Sequence, residues 1–467
     1  MYSRMNAKYL VRLCSTGKAT FYRPCRFYSN RNILKLYERG MFQDMFPDTS
    51  AQEIVDLLNK SPQCVYAGFD PTAESLHVGN LLVLMNLLHW QRSGHQVIAL
   101  IGGATGLIGD PSHRLSERVE MNKLLVEDNV RSIMNNIQTL FENHKKFLWN
   151  DKQGKLKPVI LVNNIKWYSN LNVIDFVRTV GKWFRLGSML SRSSVQSRLN
   201  SDTGMSFTEF TYQVFQAYDW LHLLKNYDCR FQIGGNDQMG NINSGHDLIF
   251  RSTHEKVYGL TLPLITTEGG QKFGKSSGNA VWLSKHKSSS FQLYQFFIRS
   301  KDADVEQLLK FFTFLSLGEI KDLMQKHVEH PEKREAQRIL AEQVTLLVHG
   351  EDGLEAARRT TAVLYDNSIE SLAKMTANDL IQVFDGAPVI EILPEPGITA
   401  YDLAIKAKCF KTDKDAMRIM AAGGFSINQQ KITNISEVIT PGIHVLPNNL
   451  TLIRVGKKNY HIVKWLA

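Results

Sequence analysis

Cysteine is scarce and dispersed. The chain holds five in 467 residues, Cys14, Cys25, Cys64, Cys229 and Cys409, with no CxxC pair and no tight Cys/His grouping. That spacing excludes a structural zinc site and a disulfide framework, and it suits a reducing compartment. Long apolar runs are missing too: no stretch approaches the roughly 20 residues that a bilayer-crossing helix needs, so no membrane partner is expected. There is no GxGxxG turn, the usual dinucleotide fingerprint. Acid is absent from the first 37 residues, which carry Arg4, Lys8, Arg12, Lys18, Arg23, Arg26, Arg31 and Lys35. Arg4, Lys8 and Arg12 step by four and line one helical face. A basic, hydroxylated, acid-poor leader without an apolar core has the composition of a mitochondrial transit peptide rather than a secretory signal. Residues 1–35 are expected to be that leader and N-terminal segment, with the mitochondrial matrix as destination; a basic RNA-binding tail is the alternative.

What remains is ordinary in composition, 43% hydrophobic and 21% charged, and long enough for two to four domains. The net charge of +10 favours an acidic partner such as nucleic acid. Gln63–Phe69 reads as a buried strand, Leu76–Arg92 as a helix stopped by Ser93-Gly94, and Gln96–Ile101 as a second strand. Strand, helix and strand make a βαβ unit with a parallel sheet. The pattern resumes with a strand at Cys229–Ile233, a helix at Asn241–Phe250 and a strand at Leu260–Ile265. The expected fold is α/β: a doubly wound, Rossmann-like catalytic domain over 36–284, with a helical insertion at about 117–226. Helical spacing from Phe291 to Phe384 implies an α-helical domain over 285–390. Pro394-Glu395-Pro396-Gly397 marks a boundary before a basic α+β module over 398–467.

Four clusters carry chemistry. Tyr66, Asp70 and Thr72 lead into His77-Val-Gly79-Asn80, at the carboxyl end of a strand and the start of a helix, where phosphates find free N–H groups. Tyr212, Gln216 and Asp219 share a narrow arc of one helix, with Ala217 and Leu221 roughly opposite. In Gln232-Ile-Gly-Gly235-Asn-Asp237 the glycines let the backbone approach a sugar, and Asp237 can accept ribose protons. Asp110 closes a glycine-rich loop after the second strand. Last comes Lys272-Phe-Gly-Lys275-Ser276, two lysines and a hydroxyl suited to the charge that grows on a triphosphate during displacement. With Gly269 it also matches the P-loop pattern, but a P-loop opens a helix, and Ser277–Leu283 has little helix potential.

Taken in order, the stretches YAGFDPTAESLHVGN, IGGATGLIGDPS, TYQVFQAYDW, QIGGNDQMGN and KFGKS resemble the bacterial and mitochondrial tyrosyl-tRNA synthetases of class I. The resemblance runs from about Leu36 to the C-terminus. It implies tyrosine–tRNA ligation: tyrosine and ATP give tyrosyl-adenylate and pyrophosphate, and tyrosine then passes to the 3′ end of mitochondrial tRNA(Tyr). It implies that Tyr66 and Asp219 hold the substrate phenol, and that Asp110, Tyr212, Gln216 and Gln232 hold the rest of the tyrosine. Asp70, Thr72, His77, Gly79, Asn80, Gly235 and Asp237 would line the ATP side. Catalysis would rest on His77, Asn80, Lys272, Lys275 and Ser276, with Mg2+ accompanying ATP and no dedicated metal site. The family works as a homodimer, and its tail is an S-four-type RNA-binding module. One place departs: where the family's first motif commonly ends in His, this chain has Asn80, which donates hydrogen bonds but cannot become cationic. The competing expectations are a non-catalytic RNA-binding relative and a P-loop ATPase.

Overall fold

The computed structural model describes residues 31–466, apart from 113–115, 117, 119, 151–153, 203, 266–272, 277–278, 366–371, 374–375, 377–379, 381–386, 411 and 457–458. Residues 1–30 of the expected leader and Lys272 therefore lie outside the described residues.

The first three strands are β1 (Met45–Phe46), β2 (Cys64–Phe69) and β3 (Gln96–Ile101). With β4 (Ile160–Asn163), β5 (Cys229–Gly235) and β6 (Tyr258–Leu262) they form one sheet in the order β1-β6-β5-β2-β3-β4. All neighbours are parallel except the short edge pair β1–β6. Because β2 pairs with β3 on one side and β5 on the other, the winding reverses at β2. Ligands of doubly wound sheets sit at that switch point, beyond the carboxyl ends of the strands.

The two-residue period of these strands sorts their side chains between two cores. Val65, Ala67, Phe69, Val97, Ala99, Ile101, Phe231 and Ile233 face the core that holds helix Val78–Arg92 and the later helical unit. Cys64, Tyr66, Ile98, Leu100 and Cys229 face the other core, where helix Phe207–Tyr227 contributes Ala217, Trp220 and Leu221. The expected strands and helices are found with ends shifted by no more than three residues. The last catalytic strand has both ends moved toward the N-terminus, at Tyr258–Leu262 rather than Leu260–Ile265, since its pairing with Phe231–Gly235 starts at Tyr258.

After the sheet, a small hairpin forms from β7 (Lys275–Ser276) and β8 (Asn279–Ala280). A strand at Lys275 is incompatible with the helix a P-loop would open there. Helices Ser290–Ile298, Asp302–Phe312, Leu317–Glu329 and Glu335–Tyr365 follow, the last broken at Gly350. The terminal module has β9 (Val389–Ile392), β10 (Phe425–Ile427), β11 (Gln430–Lys431), β12 (Leu450–Val455) and β13 (Asn459–Trp465), with helices Ala400–Lys406 and Asp413–Ala421. Its sheet order is β11-β10-β12-β13-β9, and β9 pairs in parallel with β13. The strand Val389–Ile392 precedes the proline-containing boundary, so the module's sheet begins before the bend at Pro394–Gly397. Four residues, three of them apolar, are too short to show a period; only the pairing with β13 makes them a strand.

The helical unit is tied to the N-terminal segment by one cation. Arg39, only 7% exposed, donates from Nε to Lys310 O (2.8 Å), from Nη1 to Leu315 O (2.7 Å) and from Nη2 to Thr313 O (2.7 Å). These are carbonyls at and beyond the end of helix Asp302–Phe312, which has no further turn to satisfy them and whose dipole favours a cation there. Replacing Arg39 with Met keeps the aliphatic stem and strands those acceptors, so urea unfolding should show a loss of about 3 kcal/mol. Arg39→Lys should recover only part of it, since one ammonium cannot reproduce the fork.

Candidate functional site

The switch point at β2 is polar and buried. Asp219 lies on the sheet-facing side of helix Phe207–Tyr227 and is 2% exposed. Its Oδ2 accepts from Asn164 Nδ2 (3.0 Å), and its Oδ1 from Trp167 Nε1 (2.9 Å) and the Tyr168 hydroxyl (2.8 Å). Burial nevertheless pushes the Asp219 carboxyl up to about 7, against the pull of those three donors. Tyr66 projects from β2 toward the same carboxylate, its hydroxyl buried without a partner and its pKa raised well above the usual value by burial and then by Asp219. Gln232, its register neighbour on β5, also has an unpartnered buried oxygen. A buried phenol and amide without partners beside a carboxylate fit a ligand that supplies a hydroxyl group.

Two turns earlier on the same helix, Tyr212 donates to Asp70 Oδ2 (2.8 Å), while Thr105 donates to Asp70 Oδ1 (2.8 Å). Burial lifts the Asp70 carboxyl to about 6; the two hydrogen bonds pull the other way, and nearby Asp110 adds to the rise. The loop after β3 must be glycine here, because a Cβ on Gly102 would stand 2.0 Å from Asp70 Oδ1 and 2.3 Å from Thr105 Oγ1. Asp110 accepts from Ser112 N (3.0 Å) and from Gln238 Nε2 (2.7 Å). Asn241 joins Gln216 Oε1 (3.0 Å) to Gln238 Oε1 (3.1 Å). Two carboxylates, a phenol and two amides thus surround one spot where a cation would be stabilised. Asp70, expected with the nucleotide residues, is bonded into this cationic end.

The nucleotide-side residues lie at the rim. His77 caps helix Val78–Arg92, and Asn80 Oδ1 accepts its backbone N–H (3.1 Å), which leaves the Asn80 amide as a donor. Thr72 is exposed in the turn after β2, and Gly79 is exposed on the first helical turn. Gly235 ends β5, and Asp237 is exposed in the following turn, with Gln238 Nε2 3.3 Å from its Oδ2. The later motif comes back to this place. Val78 N donates to Val281 O (2.9 Å) and Leu283 N to Leu76 O (2.8 Å), so the chain after β8 runs antiparallel to the His77 segment. Gly274 sits with φ +94°, and a Cβ there would be 3.2 Å from Gly79 N. The backbone of the Phe273–Lys275 turn is thereby laid against His77-Val-Gly-Asn80.

Sequence reasoning missed the residues that hold the named ones. Asn164, Trp167 and Tyr168 fix Asp219, Thr105 fixes Asp70, and Gln238 and Asn241 link Asp110 to Gln216. Gln238 adjoins Asp237 and was within reach; the Asn164–Tyr168 set carries no period or spacing that marks it. Arg118 also joins, donating from Nε to Asp110 O (3.1 Å) and from its backbone to Glu209 Oε1 (3.2 Å), while Glu209 is paired with buried Arg198 (2.8 Å).

A family model for class I tRNA synthetases (W and Y) matches residues 58–366, and one for the tyrosine–tRNA ligase SYY-like C-terminal domain matches residues 379–463. The mitochondrial tyrosine–tRNA ligase of Drosophila melanogaster is 56% identical over 443 residues, which is 94% of this chain and 96% of the relative. The mitochondrial enzyme of Homo sapiens is 46% identical over 433 residues, 92% and 90% of the two chains. Among solved structures, the C-terminally truncated mitochondrial tyrosyl-tRNA synthetase of Aspergillus nidulans superposes with a TM-score of 0.64 at 34% identity, covering 71% of this chain and 94% of that one. With its switch-point site, its two meeting motifs and these matches along nearly all its length, the chain belongs to the class I tRNA synthetases of the tryptophan and tyrosine family.

Proposed function

We propose that the buried network beneath helix Phe207–Tyr227 holds tyrosine for ligation to mitochondrial tRNA(Tyr) in the matrix. The observation that carries this reading is the pairing of two unlike ends in one pocket. Tyr66 and Asp219 offer a phenol and a carboxylate to the substrate hydroxyl, and for its α-ammonium Asp70 and Asp110 offer negative charge and Tyr212 and Gln216 neutral oxygens. Gln232, with its unpartnered oxygen beside Tyr66, completes the wall. ATP would lie across the rim, its base and phosphates toward His77, Gly79 and Asn80, its ribose toward Gly235 and Asp237, with Thr72 beside it.

The tyrosine carboxylate attacks the α-phosphate in line, the bond to the bridging oxygen breaks, and pyrophosphate leaves. A carboxylate is already ionised, so no general base is required. Catalysis is placement of the two substrates plus stabilisation of the growing charge. His77 and the Asn80 amide serve as donors, and Lys272, Lys275 and Ser276 supply charge and a hydroxyl to the departing group. Mg2+ would arrive on the triphosphate. The terminal ribose of tRNA then takes the tyrosyl group, and the basic terminal module serves that second step. A homodimer is favoured by exposed apolar residues of the insertion, Val173, Ile174, Val177, Leu186 and Phe207, the last 79% exposed.

Three outcomes test this reading. Tyrosine keeps its ammonium protonated between pH 5 and 8, whereas Asp70, held near 6, takes up a proton as pH falls through that value. Equilibrium binding should therefore weaken about tenfold from pH 7.5 to 5, and Asp70→Asn should bind weakly with a flatter profile. Lys275→Ala should slow tyrosine-dependent ATP–pyrophosphate exchange by roughly a hundredfold with tyrosine affinity nearly unchanged; a defect confined to tyrosine binding would make the loop structural. Removing residues 387–467, which takes β9 away with its partner β13, should leave exchange within about twofold while aminoacylation falls more than tenfold and loses its steep salt dependence. Equal loss of both steps in a folded dimer would refute the division of labour.

A further inference from the structure

The turn that brings Lys275 to the nucleotide-side motif is mounted on the helical unit at two points. The first is aromatic. Phe273 lies 5.8 Å from Phe312, the rings nearly parallel at 19°, and 5.0 Å from Phe296 at 63°, with Phe297 6.1 Å away. Its N–H donates to Ile265 O (2.9 Å), so the residue just before Gly274 is fixed by backbone and ring together. A phenyl ring between the two halves of a lysine-bearing motif would ordinarily face solvent or ligand; here it is half-buried and packs against the core that includes the helical unit.

The second point is His349, 4% exposed, in the helix broken at Gly350. Its Nε2 is 3.0 Å from Leu283 O and its Nδ1 is 2.9 Å from Ser290 Oγ. A carbonyl only accepts, so Nε2 carries the proton and Nδ1 accepts from the serine hydroxyl. Burial holds the ring's pKa down to about 4, so it stays neutral at physiological pH. The helix break fixes the histidine in turn: Asn143 Nδ2, from the helix Lys123–Asn143 of the catalytic domain, donates to Leu347 O (3.1 Å) and Val348 O (3.4 Å). Leu283 is the residue whose N–H pairs with Leu76 O, immediately before His77. One hydrogen bond therefore separates His349 from the backbone that holds the first motif.

We propose that His349 and the Phe296–Phe297–Phe312 cluster are positioning elements of the first chemical step, setting the register between the Phe273–Lys275 turn and the His77–Asn80 segment. The proposal rests on the assignment of Lys275 to transition-state stabilisation. It links the helical unit to adenylate formation by a route that bypasses the tyrosine pocket, which lies on the opposite face of the sheet.

A double-mutant cycle on the full-length enzyme tests it, reading exchange kinetics, tyrosine affinity and thermal melting for His349→Leu, His349→Gln, Lys275→Ala and His349→Leu/Lys275→Ala. His349→Leu should slow exchange roughly tenfold, because a small misplacement of a charge-stabilising group acts on the rate, and should leave tyrosine affinity within about twofold. His349→Gln, whose amide can donate to Leu283 O and accept from Ser290, should restore most of the rate. In the Lys275→Ala background His349→Leu should add little, since contacts acting through one group are not additive. Full additivity, or a His349→Leu enzyme with a lowered melting temperature and unchanged exchange kinetics, overturns the positioning role while leaving the lysine assignment intact. A Lys275→Ala enzyme with normal exchange overturns that assignment and the proposal with it. Should His349→Leu fail to fold, Phe312→Leu, which keeps an apolar side chain under Phe273 but removes the stacked ring, enters the same cycle with the same expected outcomes.

Discussion

The site depends on drawing carboxylates largely out of water. A desolvated anion is costly, and each one here is held by donors that the fold alone assembles: Asn164, Trp167 and Tyr168 around Asp219, Thr105 and Tyr212 around Asp70, Gln238 and Ser112 around Asp110. The donors do not return the pKa of Asp219 or Asp70 to the ordinary range, which stay near 7 and 6. On the proposed function a ligand that brings a hydroxyl to one end and an ammonium to the other would relieve that imbalance, and one lacking either would leave buried groups unpaired.

The alternation of the parallel strands separates two sets of side chains that meet only at the strand ends. Odd and even positions of β2 point to different cores, so Tyr66 belongs to the pocket under helix Phe207–Tyr227 while Val65 and Ala67 pack beneath helix Val78–Arg92. Only at the carboxyl ends of the strands do the faces converge, and there Asp70 and the His77 turn stand within a few residues of each other. On the proposed function the amino acid would enter from one face and the nucleotide would lie along the rim, so topology would bring the reacting carboxylate and α-phosphate together. In-line attack then needs placement more than proton transfer.

The helical unit is joined to this arrangement by contacts that are specific rather than merely apolar. Arg39 ends one of its helices, Asn143 fills the break in another, and His349 holds the strand after the hairpin. Arg92 adds a buried guanidinium over Phe314, 4.3 Å from its ring, with its Nη1 3.1 Å from Leu148 O. Directional bonds of this kind fix orientation as well as proximity, which a greasy interface would not.

The residues by themselves determined much. The βαβ periods, the glycine-rich loops and the apolar spacing of the helices located the sheet's strands and helices, because strand and helix periods are local and follow from backbone geometry. The chemical groups that a ligand would touch were legible too: Tyr66, Asp110, Tyr212, Gln216, Asp219 and His77 stand in recognisable order, and the helix period put three of them on one arc. Tertiary structure alone decided the rest. That Asn164, Trp167 and Tyr168 serve Asp219, that Asp70 is bonded to Tyr212, 142 positions away, and that Val389–Ile392 completes a sheet through Trp465 are facts of pairing between distant segments. So are the seat of Phe273 among Phe296, Phe297 and Phe312 and the bond from His349 to Leu283. No period within a segment records such contacts, since they arise only when separate elements pack and each buried polar group must find a partner wherever the fold supplies one.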